Sequence, residues 1–177
     1  DLRGNLGGLL NEAILMADLF LPPDQVIVSL EGRKGKVLKV HASAAEQMLT
    51  QPLVILVDQR SASASEIVAS ALQDHRRALI VGHVSYGKGS VQSTYPLKDG
   101  SGLKITTSRY YSPLHRQIDD LGVYPDILVP DAVEPEMAPR LPSSPGDLNP
   151  VDPQDIPLQM AVGLLRSSRV LAASPSP

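Results

Sequence analysis

Three alternating serines, Ser61-Ala62-Ser63-Ala64-Ser65, precede Glu66 between an apolar stretch and a helical pattern. A serine at a strand-to-helix turn can present its hydroxyl at the edge of a sheet, where the backbone N–H of the next residue can stabilise an oxyanion. Ser63 is therefore a candidate nucleophile, and Ala64 is a candidate oxyanion donor. The spacing Ser63-x-x-Glu66 also fits a capping box, an ordinary way to begin a helix, and both interpretations stay open at this point.

A nucleophilic serine needs a general base at neutral pH, and Lys88 is the candidate. It lies in Ser85-Tyr86-Gly87-Lys88-Gly89-Ser90, where the flanking glycines allow a tight backbone that could aim the amine inward. A lysine acts as a base where burial lowers its pKa towards neutrality, and a solvated loop lysine is the alternative. The four histidines lack a triad or metal-ligand spacing, and we interpret each as a surface or loop residue: His41, His75, His83 and His115.

Gly7-Gly8-Leu9 stands directly before another helical pattern. Backbone N–H groups at the start of a helix can bind an anion, and glycine lets the backbone approach a substrate closely. A plain turn before a helix is the alternative.

The segment from Gly82 to Lys88 matches the first seven positions of a phosphate-binding P-loop. The eighth position is Gly89, which has no hydroxyl to hold magnesium, and Val91 to Tyr95 is typical of a strand rather than the required helix. The segment therefore lacks both the hydroxyl and the following helix that a nucleotide-binding P-loop requires.

The framework around these residues follows from hydrophobic periodicity. The pattern predicts a first helix, in which Leu9, Leu10, Ala13, Ile14 and Ala17 recur at helical spacing and which Pro22-Pro23 stops, and a second helix from about Ala64 to His75. The predicted strands are a hairpin of Val26–Leu30 with Lys36–Val40, the buried runs Leu53–Val57 and Ala78–Val81, and Ser90–Pro96 followed by Leu103–Tyr111. Helices and strands alternate early and strands dominate later, which predicts a layered α/β domain.

Composition divides the chain into three parts: a core of residues 1–128, a Pro-rich linker of 129–156, and a C-terminal helix with a frayed tail at 157–177. We expect the amphipathic helix to dock on the core. The first residue is Asp1 rather than Met, and Asp1-Leu2-Arg3 is typical of the end of a strand. We therefore expect the sequence to be part of a longer protein.

The net charge of −3 over 177 residues argues against a nucleic-acid surface, because no basic stripe is present to neutralise phosphates. The absence of cysteine excludes disulfides and thiolate metal sites in this sequence. No apolar run reaches the length of a membrane span.

Together these motifs resemble the C-terminal processing peptidases, also called tail-specific proteases. The resemblance covers roughly the first three-quarters of the chain, and several separate motifs agree in order and spacing, which is more specific than any one of them. The matching segments are Asp1 to Leu9, Ser61 to Ile67, Gln73-Asp74, Tyr86 to Gln92, Leu103 to Tyr111 and Gly122 to Ile127. Leu6 stands where the family commonly has Pro.

The resemblance implies a ClpP/crotonase-like α/β core with a serine–lysine dyad in place of Ser-His-Asp. The implied site residues are the nucleophile Ser63, the base Lys88, Gln92 orienting the lysine, the oxyanion-hole amides of Gly8 and Ala64, and supporting positions at Asp74 and Glu66.

The implied activity is that of a serine endopeptidase, which cleaves proteins with apolar tails near the C-terminus through an acyl-enzyme and needs no metal or organic cofactor. The family also implies a PDZ domain upstream, leaves a homo-oligomer open, and suggests a bacterial periplasm or envelope, or a thylakoid lumen. The alternative is a non-catalytic binding or scaffold module that keeps the fold. Ser63, Lys88 and Gln92 are all present, which favours the enzyme.

Overall fold

Two separate sheets and three helices make up the described part of the protein. The computed structural model describes residues 1–33, 35–43, 48–129 and 154–173. In chain order the elements are α1 Leu10–Asp18, β1 Val26–Gly32, β2 Val37–His41, β3 Val54–Val57, α2 Ala64–Asp74, β4 Leu79–Gly82, β5 Ser90–Pro96, β6 Gly102–Tyr111, β7 Ile127–Leu128 and α3 Ile156–Ala173. One sheet has the strand order β2-β1-β6-β5 and the other β3-β4-β7. The predicted layered α/β fold is confirmed.

The β3-β4-β7 sheet is parallel and buried on both faces. Successive side chains of a strand point to opposite faces. Accordingly, Ile55 and Val57 of β3 pack in the core beneath α1 and α2, while Leu56 packs with the opposite cluster beneath α3. This two-sided burial explains why β3 is a continuous apolar run rather than an alternating one.

Helix α2 packs its apolar positions into the main core, where Ile67, Val68, Ala71 and Leu72 are all buried. The helix follows β3 and leads to the neighbouring strand β4, so it forms the crossover of a βαβ unit. Both the helix and the two strands were predicted from the sequence, and the structure confirms them.

The β2-β1-β6-β5 sheet is antiparallel, with hairpins joining β1 to β2 and β5 to β6. Pairing between β1 and β6 joins the two hairpins into one four-stranded sheet. The predicted strands are confirmed, with β6 beginning one residue earlier than expected. The two-residue strand β7 was not predicted, because so short a run carries no periodic signal.

Helix α3 covers the other face of the parallel sheet, as the docking prediction requires. Ala161 is buried there with Leu56, Val81 and Val129, and Leu158 packs against the same cluster. Residues 130–153 and 174–177 lie outside the described residues, so the division into core, linker and tail stays a prediction. None of the helices in the described ranges is long and apolar enough to cross a membrane.

Candidate active site

Ser63 occupies a strained turn between β3 and α2. Its φ is 56° and its ψ is −114°, a conformation that side-chain-bearing residues rarely adopt and that costs on the order of 1–3 kcal/mol. Such strain persists only where the surrounding structure fixes it. A strained serine between a buried strand and a helix is also the arrangement that exposes a nucleophilic hydroxyl at the end of a sheet.

The N-terminal segment and Asp58 hold this turn in place. The Ser61 hydroxyl donates to the Leu2 carbonyl (2.8 Å), and the Ala62 N–H donates to the Asn5 carbonyl (3.0 Å). Asp58 accepts the N–H groups of Gly4 and Ser61 at 2.9 and 3.0 Å. Burial alone would raise the pKa of Asp58, but these hydrogen bonds, with one from Arg60 and one from the Ser61 hydroxyl, together lower it.

Glu66 joins the serine turn to the lysine loop. Its side chain is fully buried, and each carboxylate oxygen accepts two hydrogen bonds. One oxygen accepts from the Ser85 hydroxyl (2.5 Å) and the Gly87 N–H (2.7 Å). The other accepts from the backbone N–H groups of Ser63 (2.7 Å) and Lys88 (2.9 Å). The lengths of these last two bonds, 2.7 and 2.9 Å, place the two nitrogens no more than about 5.6 Å apart.

Two interpretations of the sequence, the capping box at Ser63 and the P-loop before Lys88, can now be compared with the structure. The Ser63 N–H to Glu66 bond is the carboxylate half of the predicted capping box, and it coexists with the strained turn rather than replacing it. The P-loop interpretation is excluded by β5, which lies where a helix would be needed. In addition, the Gly87 and Lys88 N–H groups that a phosphate would require are bonded to Glu66.

Ser85 belongs to the hydrogen-bond network around Glu66, and it was not identified from the sequence. Its side chain is buried, and its hydroxyl donates to Glu66 while accepting the Val123 N–H (2.7 Å). Ser85 therefore links the lysine loop to a segment 38 residues further along the chain. No local pattern marks a serine for such a role.

Lys88 and Gln92 lie on the exposed side of this framework. The backbone of Lys88 is fixed by Glu66, but its side chain is exposed, so the described residues do not provide the burial that the sequence argument requires. Gln92 is an exposed residue of β5, directly after an irregularity in the pairing between Val91 and Gln92. A bulge of this kind re-aims the side chains next to it.

The paired glycines lie directly against the serine turn. A Cβ on Gly7 would come within 2.5 Å of the Ala62 carbonyl oxygen and 2.7 Å of the Ala64 nitrogen, and Gly7 has a φ of +83°. Only glycine fits there. The next residue, Gly8, is open to solvent and lines the same groove as Ala64, a cavity of about 240 Å³. The structure thus brings the two predicted oxyanion donors to one groove.

Asp74 is not brought to this site. It ends α2, which begins directly after Ser63, and a rise of 1.5 Å per residue separates the two by about 16 Å along the helix axis. Its side chain is almost completely buried and accepts hydrogen bonds from the Leu114 N–H (2.8 Å) and from Arg116. Asp74 therefore fixes the loop after β6, which corrects the expectation that it lies near the serine.

Comparison with known proteins gives consistent matches over the same region. The family model of peptidase family S41 matches residues 1–129. A carboxy-terminal-processing protease of Bartonella bacilliformis is 48% identical over 130 residues, and the chloroplastic carboxyl-terminal-processing peptidase 1 of Arabidopsis thaliana is 45% identical over 126. Among solved structures, a photosystem II D1 C-terminal processing protease superposes with a TM-score of 0.67 at 36% identity.

These matches cover most of this chain but a minor part of each relative. The Bartonella and Arabidopsis alignments cover 73% and 71% of this chain, and 30% and 26% of those proteins. The structural match covers 73% of this chain and 33% of the other. The chain thus spans about a third or less of the length of the relatives it matches.

Proposed function

The chain belongs to peptidase family S41, and we propose that it forms the catalytic core of a serine endopeptidase that cleaves protein substrates near their C-termini. The family resemblance that the sequence indicates is thereby confirmed. One observation carries the proposal for the site: a single buried carboxylate oxygen of Glu66 accepts the backbone N–H groups of both Ser63 and Lys88. A lysine side chain can span the resulting separation of the two backbones.

The reaction begins when neutral Lys88 accepts the proton of the Ser63 hydroxyl as Oγ attacks the scissile carbonyl carbon. The N–H groups of Gly8 and Ala64 donate to the oxyanion of the tetrahedral intermediate. The lysine then gives its proton to the leaving amine as the C–N bond breaks, which leaves an acyl-enzyme on Ser63. Water attacks this ester with Lys88 again as the base, the bond from the acyl carbon to Ser63 Oγ breaks, and Lys88 returns the proton to Oγ as the new C-terminus departs.

Substrate binding supplies the desolvation that the exposed lysine lacks. A peptide that lies across the Ser63 turn also covers the adjoining loop, because Glu66 fastens the two together and the Tyr86 N–H donates to the Ser61 carbonyl (2.9 Å). Removing water from an ammonium group favours its neutral form. Gln92 orients the amine from β5. Glu66 acts by positioning both loops and takes no part in proton transfer.

The setting of the whole protein is inferred from the family. We propose protein substrates with apolar tails, a PDZ domain in the full-length protein, and a bacterial periplasm or envelope, or a thylakoid lumen, as the location. The name of the chloroplastic Arabidopsis relative supports an organellar setting for some members.

The test is proteolysis of an unfolded protein with an apolar C-terminal tail by the full-length enzyme. Wild type, Ser63→Ala, Lys88→Ala and Lys88→Arg are compared, with Lys98→Ala, on the exposed β5–β6 hairpin, as a control. We expect wild type and the control to cut, and the three site variants to lose at least about 100-fold in kcat/KM. Arginine fails because a guanidinium stays protonated. Cleavage by folded Ser63→Ala or Lys88→Arg at the wild-type rate would contradict the proposal.

A further inference from the structure

The groove beside the oxyanion donors has a defined shape and polarity. One wall is a face of α1 that carries Glu12, Ala13 and Met16, which recur at helical spacing. The other wall is the start of α2, from Ala64 to Val68. Ala13 and Val68 are buried at its floor, whereas Met16 is 49% exposed at its mouth. The groove is thus mostly apolar, its polar side chains are Asn5 and Ser65, whose hydroxyl donates to the Asn5 carbonyl (3.1 Å), and its one carboxylate is the exposed Glu12.

The position of a bound carbonyl decides which part of a substrate enters this groove. In the tetrahedral intermediate the carbonyl carbon bears Ser63 Oγ, the oxyanion, the leaving nitrogen and the Cα of the acyl residue. The oxyanion faces Gly8 and Ala64, and the leaving nitrogen must face Lys88 to receive its proton. The groove is lined by Gly8 and Ala64 but by no residue of the Lys88 loop. The remaining substituent of the carbonyl carbon, the Cα of the acyl residue, is therefore the one that faces the groove.

We propose that this groove receives the side chain on the acyl side of the scissile bond, the P1 residue, and that Met16 and Glu12 determine which side chains are accepted. The inference rests on the proposed peptidase function. An apolar interior favours uncharged aliphatic side chains, because burying a charge there without a partner is costly. The Glu12 carboxylate at the rim further disfavours Asp and Glu at P1 by like-charge repulsion.

The test uses the full-length enzyme and a set of fluorogenic peptides that differ only at P1, with Leu, Lys or Glu at that position. Met16→Glu adds a second carboxylate one helical turn from Glu12. Leu15→Glu is the matched control, since Leu15 is the neighbouring residue of α1, is 58% exposed and does not line the groove. Cleavage positions are confirmed by mass spectrometry.

We expect Met16→Glu to lower kcat/KM for the Leu peptide by about tenfold or more and to raise it for the Lys peptide. Destabilisation of the enzyme would lower kcat/KM for both peptides, so opposite changes for the Leu and Lys peptides cannot result from it. Leu15→Glu is expected to keep the wild-type ratios. If Met16→Glu also keeps those ratios, or alters preference only on the leaving side, the inference is overturned while the peptidase function stands. If wild type shows no Ser63-dependent cleavage, the proposed function is overturned, and the inference with it.

Discussion

Glu66 carries more polar contacts than a helix-capping residue needs. A carboxylate with no exposed surface is costly to bury, and here four hydrogen bonds offset that cost. The donors come from two loops, so the same contacts that stabilise the charge also fix the Ser63 and Lys88 backbones. The strand-to-helix turn predicted Ser63, the glycine-flanked loop predicted Lys88, and the family resemblance implied the supporting Glu66. The bonds of Glu66 to Ser85 and Gly87 could not be predicted, because those residues lie 19 and 21 positions away.

Replacing this carboxylate by an amide tests its role. Glu66→Gln places an NH₂ group against N–H and O–H donors, and we expect it to lower the free energy of unfolding by about 2–4 kcal/mol. Peptidase activity should fall as well, because the backbones of Ser63 and Lys88 lose their common acceptor. Urea unfolding of the full-length protein and kcat/KM measure the two effects. The control is Asp24→Asn, an exposed carboxylate at a φ of 67° that asparagine tolerates. Equal losses in the two variants would show that Glu66 has no special role.

At the scale of elements, the turn before α1 and the turn before α2 are pressed together. Gly7 makes this possible, because any side chain there would overlap the Ala62 carbonyl and the Ala64 nitrogen. Gly4 also has a positive φ, +67°, but nothing lies within 4 Å of the Cβ position. Comparing the two glycines therefore distinguishes the cost of a left-handed backbone, which applies at both positions, from the cost of a steric overlap, which applies only at Gly7.

Alanine substitutions at both positions exploit this difference. Gly4→Ala should cost about 1 kcal/mol of unfolding free energy, from the left-handed backbone alone. Gly7→Ala should cost about 3 kcal/mol or more and abolish peptidase activity, since the two turns must move apart. Thermal unfolding and kcat/KM of the full-length variants provide the comparison. Similar values for both variants would argue against close packing of the two turns.

The sequence predicted the helices and strands better than it predicted which residues of different elements come into contact. The apolar runs of β3 and β4 and the periodicity of α2 predicted the positions of these elements to within one or two residues, whereas α1 ends at Asp18, before the prolines that were expected to stop it. Asp74 illustrates the difference. The family motif placed it near Ser63, but it lies three turns away at the far end of α2. The helix predicted from Ala64 to His75 already implies this separation, and the motif match did not take it into account.

At the scale of the whole molecule, an ion pair connects the first residues to the C-terminal helix. The Arg3 guanidinium donates two hydrogen bonds to the Asp155 carboxylate, at 2.7 and 2.8 Å. Asp155 also accepts the Leu158 N–H (3.0 Å) at the start of α3. The hydrogen bonds from Arg3 are the main reason that the pKa of Asp155 lies below its usual value. The pair thus joins α3 to the segment that leads into Gly7 and Gly8.

The lowered pKa predicts how this link depends on pH. A carboxylate with a lower pKa in the folded state contributes stability above its unfolded pKa of about 3.9 and loses it as the pH falls through the folded value. Asp155→Asn should therefore reduce the free energy of unfolding by about 1 kcal/mol at pH 7. The difference from wild type should shrink as the pH falls below about 4. Urea unfolding of the full-length protein at several pH values measures this, and an undiminished difference in acid would contradict the assignment.

The role of Ser63 as the nucleophile is tested by covalent labelling of the full-length protein with a fluorophosphonate serine probe, followed by peptide mapping. Ser70→Ala serves as the control, since Ser70 is a buried serine of α2 that bonds only within its own helix at 3.3 Å. We expect one adduct, on Ser63, in wild type and in Ser70→Ala, and none in Ser63→Ala. An adduct on another serine, or labelling that persists in Ser63→Ala, would contradict the assignment of Ser63 as the nucleophile.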